Sequence, residues 1–166
     1  MDGATMGRER DLPPGELAGT YAGRRVLVTG HTGFKGGWLS AWLLDMGARP
    51  AGYALAPPGE PGFFAATGLA HRMDHVVGEL ADIEHLTRRV ATLRPELIVH
   101  MAAQSLVRPS YISPRETFAT NVLGTVNLLQ IAREAGVERF LQVSTDEVYG
   151  SLGPEGSFTE TTPITP

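Results

Sequence analysis

The sequence predicts an α/β fold: a three-layer, doubly wound parallel sheet with strands in the order 3-2-1-4-5. Three features point to it. From Arg25 onward, short β-branched runs alternate with longer segments of helical period, the pattern of parallel strands joined by crossover helices. The first run, Val26–Thr29, has no polar alternation, as befits a central parallel strand covered on both faces. A turn of regularly spaced glycines follows it and opens the first helix. Right-handed crossovers then set strands two and three on one side of strand one and strands four and five on the other, with a switch point between strands one and four.

Each element has its own signal. After Val26–Thr29, a helix is expected over Phe34–Met46, with Leu39, Trp42, Leu43 and Met46 on one face and Gly47 as its stop. Pro50–Ala54 reads as a second strand. Residues 55–74, rich in proline and glycine, are too irregular for a regular crossover and should hold one short helical turn near Phe63. His75–Val77 is the third strand, and Asp82 caps a helix in which Ile83, Leu86, Val90 and Leu93 recur at helical spacing before Pro95. Leu97–His100 is the fourth strand. Ser113, Pro114 and Glu116 form a capping box with proline at the first helical position; the helix they open carries Phe118, Val122, Thr125, Leu129 and Ala132 on one face and ends at Gly136. Phe140–Ser144 is the fifth strand, and the final sixteen residues lack periodicity.

The chain has 166 residues, about one domain's worth. With 42% hydrophobic and 19% charged residues it is apolar enough to fold. Its net charge of −4 and scattered basic residues lack the cationic stripe of a phosphate-backbone binder, so a small molecule is expected as partner and nucleic acid is not. With no cysteine there is no disulfide, thiolate zinc site or thiol nucleophile, and no metal site is expected. No apolar run approaches the roughly 18 residues that cross a bilayer, so no membrane role is expected. Residues 1–22, with Arg8, Glu9, Arg10 and Asp11 where a secretory signal needs an apolar centre, read as a disordered leader before a domain over 23–166. The cytoplasm is the expected compartment.

The chemistry is concentrated at Gly30-His-Thr-Gly33-Phe-Lys-Gly36, between a strand and a helix. There Gly30 permits a tight turn, Gly33 lets the backbone approach a pyrophosphate, and Gly36 lets the helix pack closely on the sheet. Free N–H groups at the helix start, with the macrodipole behind them, favour phosphate. The turn is not a Walker loop, because Lys35 is followed by glycine. The ribose-binding carboxylate usual some 20 residues further on is missing from GYALAPP, and no arginine stands there to meet a 2′-phosphate. NAD is therefore expected ahead of NADP, with Lys35 either a phosphate contact or a solvated first-turn residue.

Four motifs in constant order, the glycine turn, HMAAQS at His100–Ser105, TNVLGT at Thr120–Thr125 and VSTDEVYG at Val143–Gly150, resemble the extended short-chain dehydrogenase/reductases, specifically the nucleotide-sugar 4,6-dehydratases. GHTGFKGGWLSAWL is similar to CDP-glucose 4,6-dehydratases and STDEVYG with FTETTP to dTDP-glucose 4,6-dehydratases. The resemblance implies a Rossmann fold, NAD as coenzyme and a nucleotide-diphosphate sugar as substrate. It sets Gly30, Thr32, Gly33, Phe34, Lys35, Gly36 and Ser144 along the coenzyme, Glu79 and Leu80 against adenine, and Met101, Ala102 and Ala103 beside the nicotinamide half. Thr120 and Asn121 would lie near coenzyme and active site, and Gln104 and Ser105 near substrate.

In the resembled enzymes hydride leaves the sugar C4 for NAD, water is eliminated across C5 and C6, and the hydride returns to C6. By position Thr145 would hydrogen-bond the oxidised hydroxyl, Asp146 would be the acid and Glu147 the base; an elimination suits two carboxyl groups in different protonation states. Oxidation at C4 in this superfamily also uses a Tyr-x-x-x-Lys pair. The only lysine here is Lys35, and none of Tyr21, Tyr53, Tyr111 and Tyr149 has a lysine four residues on. The pair is expected beyond Pro166, with the substrate domain, so that this part alone should be inactive. The family's habit of pairing through long helices implies a homodimer. A sugar epimerase or decarboxylase of the same superfamily and a non-catalytic coenzyme-binding module are the alternatives.

Overall fold

The computed structural model of the chain describes residues 14–57, 59, 62–150 and 156–165. Its centre is a five-stranded, wholly parallel sheet in the expected order 3-2-1-4-5, built from β1 (Arg25–Thr29), β2 (Arg49–Ala54), β3 (Asp74–Val77), β4 (Leu97–His100) and β5 (Arg139–Gln142). β1 lies in the middle, its Val26, Leu27 and Val28 wholly buried, which is why its sequence shows no polar alternation.

One face of the sheet is covered by α2 (Phe34–Asp45), with Leu43 and Met46 packed on Val26, Val28 and Val99. The other is covered by α4 (Ile83–Leu93) and α7 (Gly124–Glu134), where Leu86, Val90, Leu128 and Ile131 surround Leu27, Tyr53 and Ile98. α2 ends as expected at Gly47, whose φ of +74° is the left-handed conformation of a helix stop. α4 starts as expected at Asp82, whose carboxylate accepts the His85 N–H at 2.9 Å. The connection 55–74 carries α3 (Phe63–Ala66) near the predicted place and a second short turn at Leu69–His71; Phe64, Leu69 and Met73 form a small core of their own. No helix among the described residues is long and apolar enough to cross a membrane.

Four expectations need correction. Part of the expected disordered leader is a helix, α1 (Pro14–Tyr21), whose Leu17, Ala18 and Tyr21 pack on the α2 side of the core; residues 1–13 lie outside the described residues. Those apolar side chains, spaced i, i+1 and i+4, gave the segment a face to bury. The capping box fails: Pro114 does start a helix, α6 (Pro114–Phe118), after the short α5 (Val107–Ile112), but Ser113 makes no side-chain cap. Its N–H instead closes α5 on the Pro109 carbonyl. The long helix passes through a π-helical turn at Ala119–Leu123 before α7. That extra residue breaks the phase of the apolar stripe, and Gly124, Leu128, Ile131 and Ala132 are buried while Phe118, Val122 and Leu129 stay exposed. Finally, β5 ends at Gln142 and not at the expected Ser144, with only the Val143 N–H beyond it still bonded to β4, at the His100 carbonyl.

Candidate active site

The turn between β1 and α2 is shaped by what its glycines lack. Gly30 sits at φ +75° and its N–H donates to the Tyr53 carbonyl at 3.0 Å; a Cβ there would stand 2.9 Å from the Ala102 nitrogen. A Cβ on Gly36 would overlap the Gly30 carbonyl oxygen. Gly33 is the N-cap of α2 and, having no side chain, leaves the helix start uncapped. The N–H groups of Phe34, Lys35 and Gly36 thus have no intrahelical acceptor and stand at the positive end of the macrodipole. A main-chain donor set of this kind is suited to a diphosphate. Phe34 and Lys35 are exposed, whereas Thr32 is buried and spends its hydroxyl on the Leu55 carbonyl at 3.0 Å.

Beside this turn, at the end of β3, Glu79 is exposed while Leu80 is buried in the core against Gly124. The Leu80 side chain therefore serves packing, and Glu79 is the member of the pair that faces outward. Tyr53, buried on β2, holds this segment by donating its hydroxyl to the Glu79 carbonyl at 2.9 Å, and burial raises its pKa to about 12.

After β4 the chain runs as Met101, Ala102, Ala103, Gln104 and Ser105 across the carboxyl end of the sheet. Met101 and Ala102 are half-buried, Ala103 and Ser105 exposed. Asn121, in the π-helical turn, brackets Gln104: its Oδ1 accepts the Gln104 N–H at 2.7 Å and its Nδ2 donates to the Gln104 carbonyl at 2.9 Å. The Gln104 amide is itself engaged, with Oε1 accepting from Leu106 N–H and Nε2 donating to the Leu106 carbonyl and Thr117. Thr120 is half-buried next to Asn121.

Beyond β5, Ser144, Thr145, Asp146 and Glu147 are all exposed at the same end of the sheet, and the Val143 N–H ties their segment to the His100 carbonyl at 3.0 Å. Thr145 caps a 3₁₀ turn over Asp146–Tyr149 by accepting the Glu147 N–H at 3.3 Å, and its hydroxyl lies 3.4 Å from the Asp146 carboxylate. The structure thus gathers the glycine turn, the 101–105 segment, Asn121 and the Thr-Asp-Glu triplet at one edge, where doubly wound sheets bind ligands. Among the described residues no group of three or more acidic or histidine side chains is placed to hold a metal ion.

Sequence reading missed the residues beneath this edge: Tyr53, His31, Thr29, His100 and Thr125. His31 and His100 are wholly buried, and burial lowers each pKa to about 4, His31 also feeling His75 and Arg89. The available signal was polarity in the wrong place, since LIVH and VLVT each end a buried run on a polar residue.

The fold and the glycine turn define a Rossmann-type protein. Residues 27–166 match the GDP-mannose 4,6 dehydratase family, and the chain belongs to it. It is 46% identical over 130 residues to CDP-glucose 4,6-dehydratase of Salmonella typhimurium, covering 78% of this chain and 36% of that protein. It is 38% identical over 152 residues to dTDP-glucose 4,6-dehydratase of Xanthomonas campestris, covering 84% and 43%. Among solved structures, the NAD complex of Bacillus anthracis dTDP-glucose 4,6-dehydratase superposes with a TM-score of 0.70 at 31% identity, covering 86% of this chain and 44% of that one. UDP-glucose 4-epimerase of Thermus thermophilus, also with NAD, gives 0.75 at 34%, covering 86% and 44%. The chain spans less than half the length of these relatives.

Proposed function

We propose that this chain is the coenzyme-binding part of a nucleotide-sugar 4,6-dehydratase that uses NAD. The observation that carries the reading is the uncapped start of α2 behind Gly30, Gly33 and Gly36, a donor set suited to the diphosphate of a dinucleotide. NAD, when bound, supplies a hydride acceptor that returns what it takes. Phe34, Lys35 and Gly36 would hold its diphosphate through main-chain N–H groups; Glu79 would meet the adenine half, and Met101–Ala103 would line the nicotinamide half.

At the sugar, Thr145 would hydrogen-bond the hydroxyl being oxidised. Asp146 would give its proton to the departing C6 hydroxyl while Glu147 takes the C5 proton, a division of labour between acid and base that elimination requires. The exposure of all three at the carboxyl edge leaves them free to meet a nucleotide-diphosphate sugar. The absent Tyr-x-x-x-Lys pair would make the 166-residue chain bind NAD without dehydrating a sugar. The test is Glu147→Gln in the complete enzyme carrying this segment. Loss of about 10²–10⁴-fold in sugar 4,6-dehydration is expected for removal of a general base; unimpaired dehydration would refute the assignment.

A further inference from the structure

The buried His100 side chain has no part in the chemistry above, yet it is fully hydrogen-bonded between two strands and a helix. Thr29 Oγ1 accepts two main-chain N–H groups, from Met101 at 3.1 Å and Ala102 at 3.2 Å. A hydroxyl has two acceptor sites and one proton, so that proton has one place to go: His100 Nδ1, at 2.6 Å. With Nδ1 accepting, the neutral ring carries its hydrogen on Nε2, which donates to Thr125 Oγ1 at 3.1 Å. Thr125 in turn donates to the Asn121 carbonyl, inside the π-helical turn, at 2.7 Å. Asn121 then grips the Gln104 main chain with both ends of its amide. The bonds close a ring from Thr29 through His100, Thr125 and Asn121 to Gln104, and back along the chain to Met101 and Ala102.

We infer that His100, as a neutral Nε2–H imidazole, is a positioning residue that orients the Thr29 and Thr125 hydroxyls and so fixes the 101–104 segment against the glycine turn. The fit it controls is tight, since a Cβ on Gly30 would already stand 2.9 Å from the Ala102 nitrogen. A reversed tautomer or an imidazolium would direct a further hydrogen at a Thr29 oxygen whose acceptor sites are taken. Burial of the ring, with Phe140 edge-on at 6.0 Å, disfavours the charged form as well. The consequence for coenzyme binding rests on the dinucleotide reading; the tautomer and the ring of bonds do not.

The test uses the 166-residue chain with ¹⁵N-labelled histidine. At pH 7, NMR should show His100 protonated on Nε2 and bare on Nδ1, with the Met101, Ala102 and Gln104 amides slow to exchange. Thr125→Val, which removes one link and keeps the side-chain shape, should speed exchange at these amides and weaken NAD⁺ binding about tenfold, the scale of one buried bond left unmade; Thr125→Ser should restore both. A His100 ring protonated on Nδ1, or Thr125→Val with unaltered exchange, would overturn the inference. If the unaltered chain bound no NAD⁺, the dinucleotide reading would fall, and tautomer and exchange would still decide for or against the positioning role.

Discussion

The imidazole of His31 fills the space where a Cβ on Gly52 would stand, so the glycine turn is seated on β2 through the absence of a side chain. His31 also meets Phe64 edge-on at 5.1 Å and His75 at 5.4 Å, which fixes it from the other side. Gly52→Ala should push the ring, and the turn with it, off the sheet. Overpacking of this kind costs about 1–3 kcal/mol. Urea unfolding should show that loss in midpoint, and a midpoint equal to that of the unaltered chain would contradict the seating.

The two buried histidines give stability a defined pH dependence. His31 and His100 have pKa values lowered from 6.5 to about 4, so the unfolded chain takes up protons as pH falls through 6.5 while the folded chain does not. The contribution of the two neutral rings is therefore full above pH 6.5 and is lost between 6.5 and 4, on the order of 1 kcal/mol per pH unit for each ring. Glu96 acts in a lower window. The Arg25 N–H, Arg25 and Arg24 hold its pKa below 4.5, and its contribution disappears only as pH falls further. Urea midpoints at pH 7.5, 6 and 5 should fall in that order; a flat profile across these values would refute the assignment of both rings as neutral.

Tyr53→Phe should leave the Glu79 carbonyl without its 2.9 Å partner while preserving the ring in the core. A loss of about 1–3 kcal/mol is expected for a partner stranded in a part-buried site. Amide exchange should rise locally around Gly78–Leu80 and leave β1 unchanged.

Gly36→Ala places a methyl group against the Gly30 carbonyl, which is backbone and cannot step aside cheaply. The turn must open to admit it. NAD⁺ affinity should fall more than tenfold, of the order of a lost charge-assisted bond, with the sheet's circular dichroism retained. Affinity within twofold of the unaltered chain would show that the turn's closed shape is irrelevant to binding.

The glycine turn could be read from residues because it is local, its glycines falling in register between strand and helix, and the strand order followed from the crossover rule once the unbroken apolar run of β1 marked it as central. Long-range effects could not. α7 is apolar on two sides, so helical period alone could not choose between Leu128 and Leu129, and the π-helical turn that shifts the phase leaves no mark in composition. The role of Leu80 in the core depends on Gly124, forty-four positions away. The bonds that hold the 101–104 segment join residues 29, 100, 121 and 125, whose contact exists only once the sheet has formed.

The central claim, that main-chain N–H groups at the start of α2 hold a dinucleotide diphosphate, is tested most directly by titrating the ¹⁵N-labelled 166-residue chain with NAD⁺. Saturable shifts should be largest at the Phe34, Lys35 and Gly36 amides. Amides that stay unmoved at these three positions while NAD⁺ reaches millimolar concentration, or shifts confined to other parts of the chain, would contradict it.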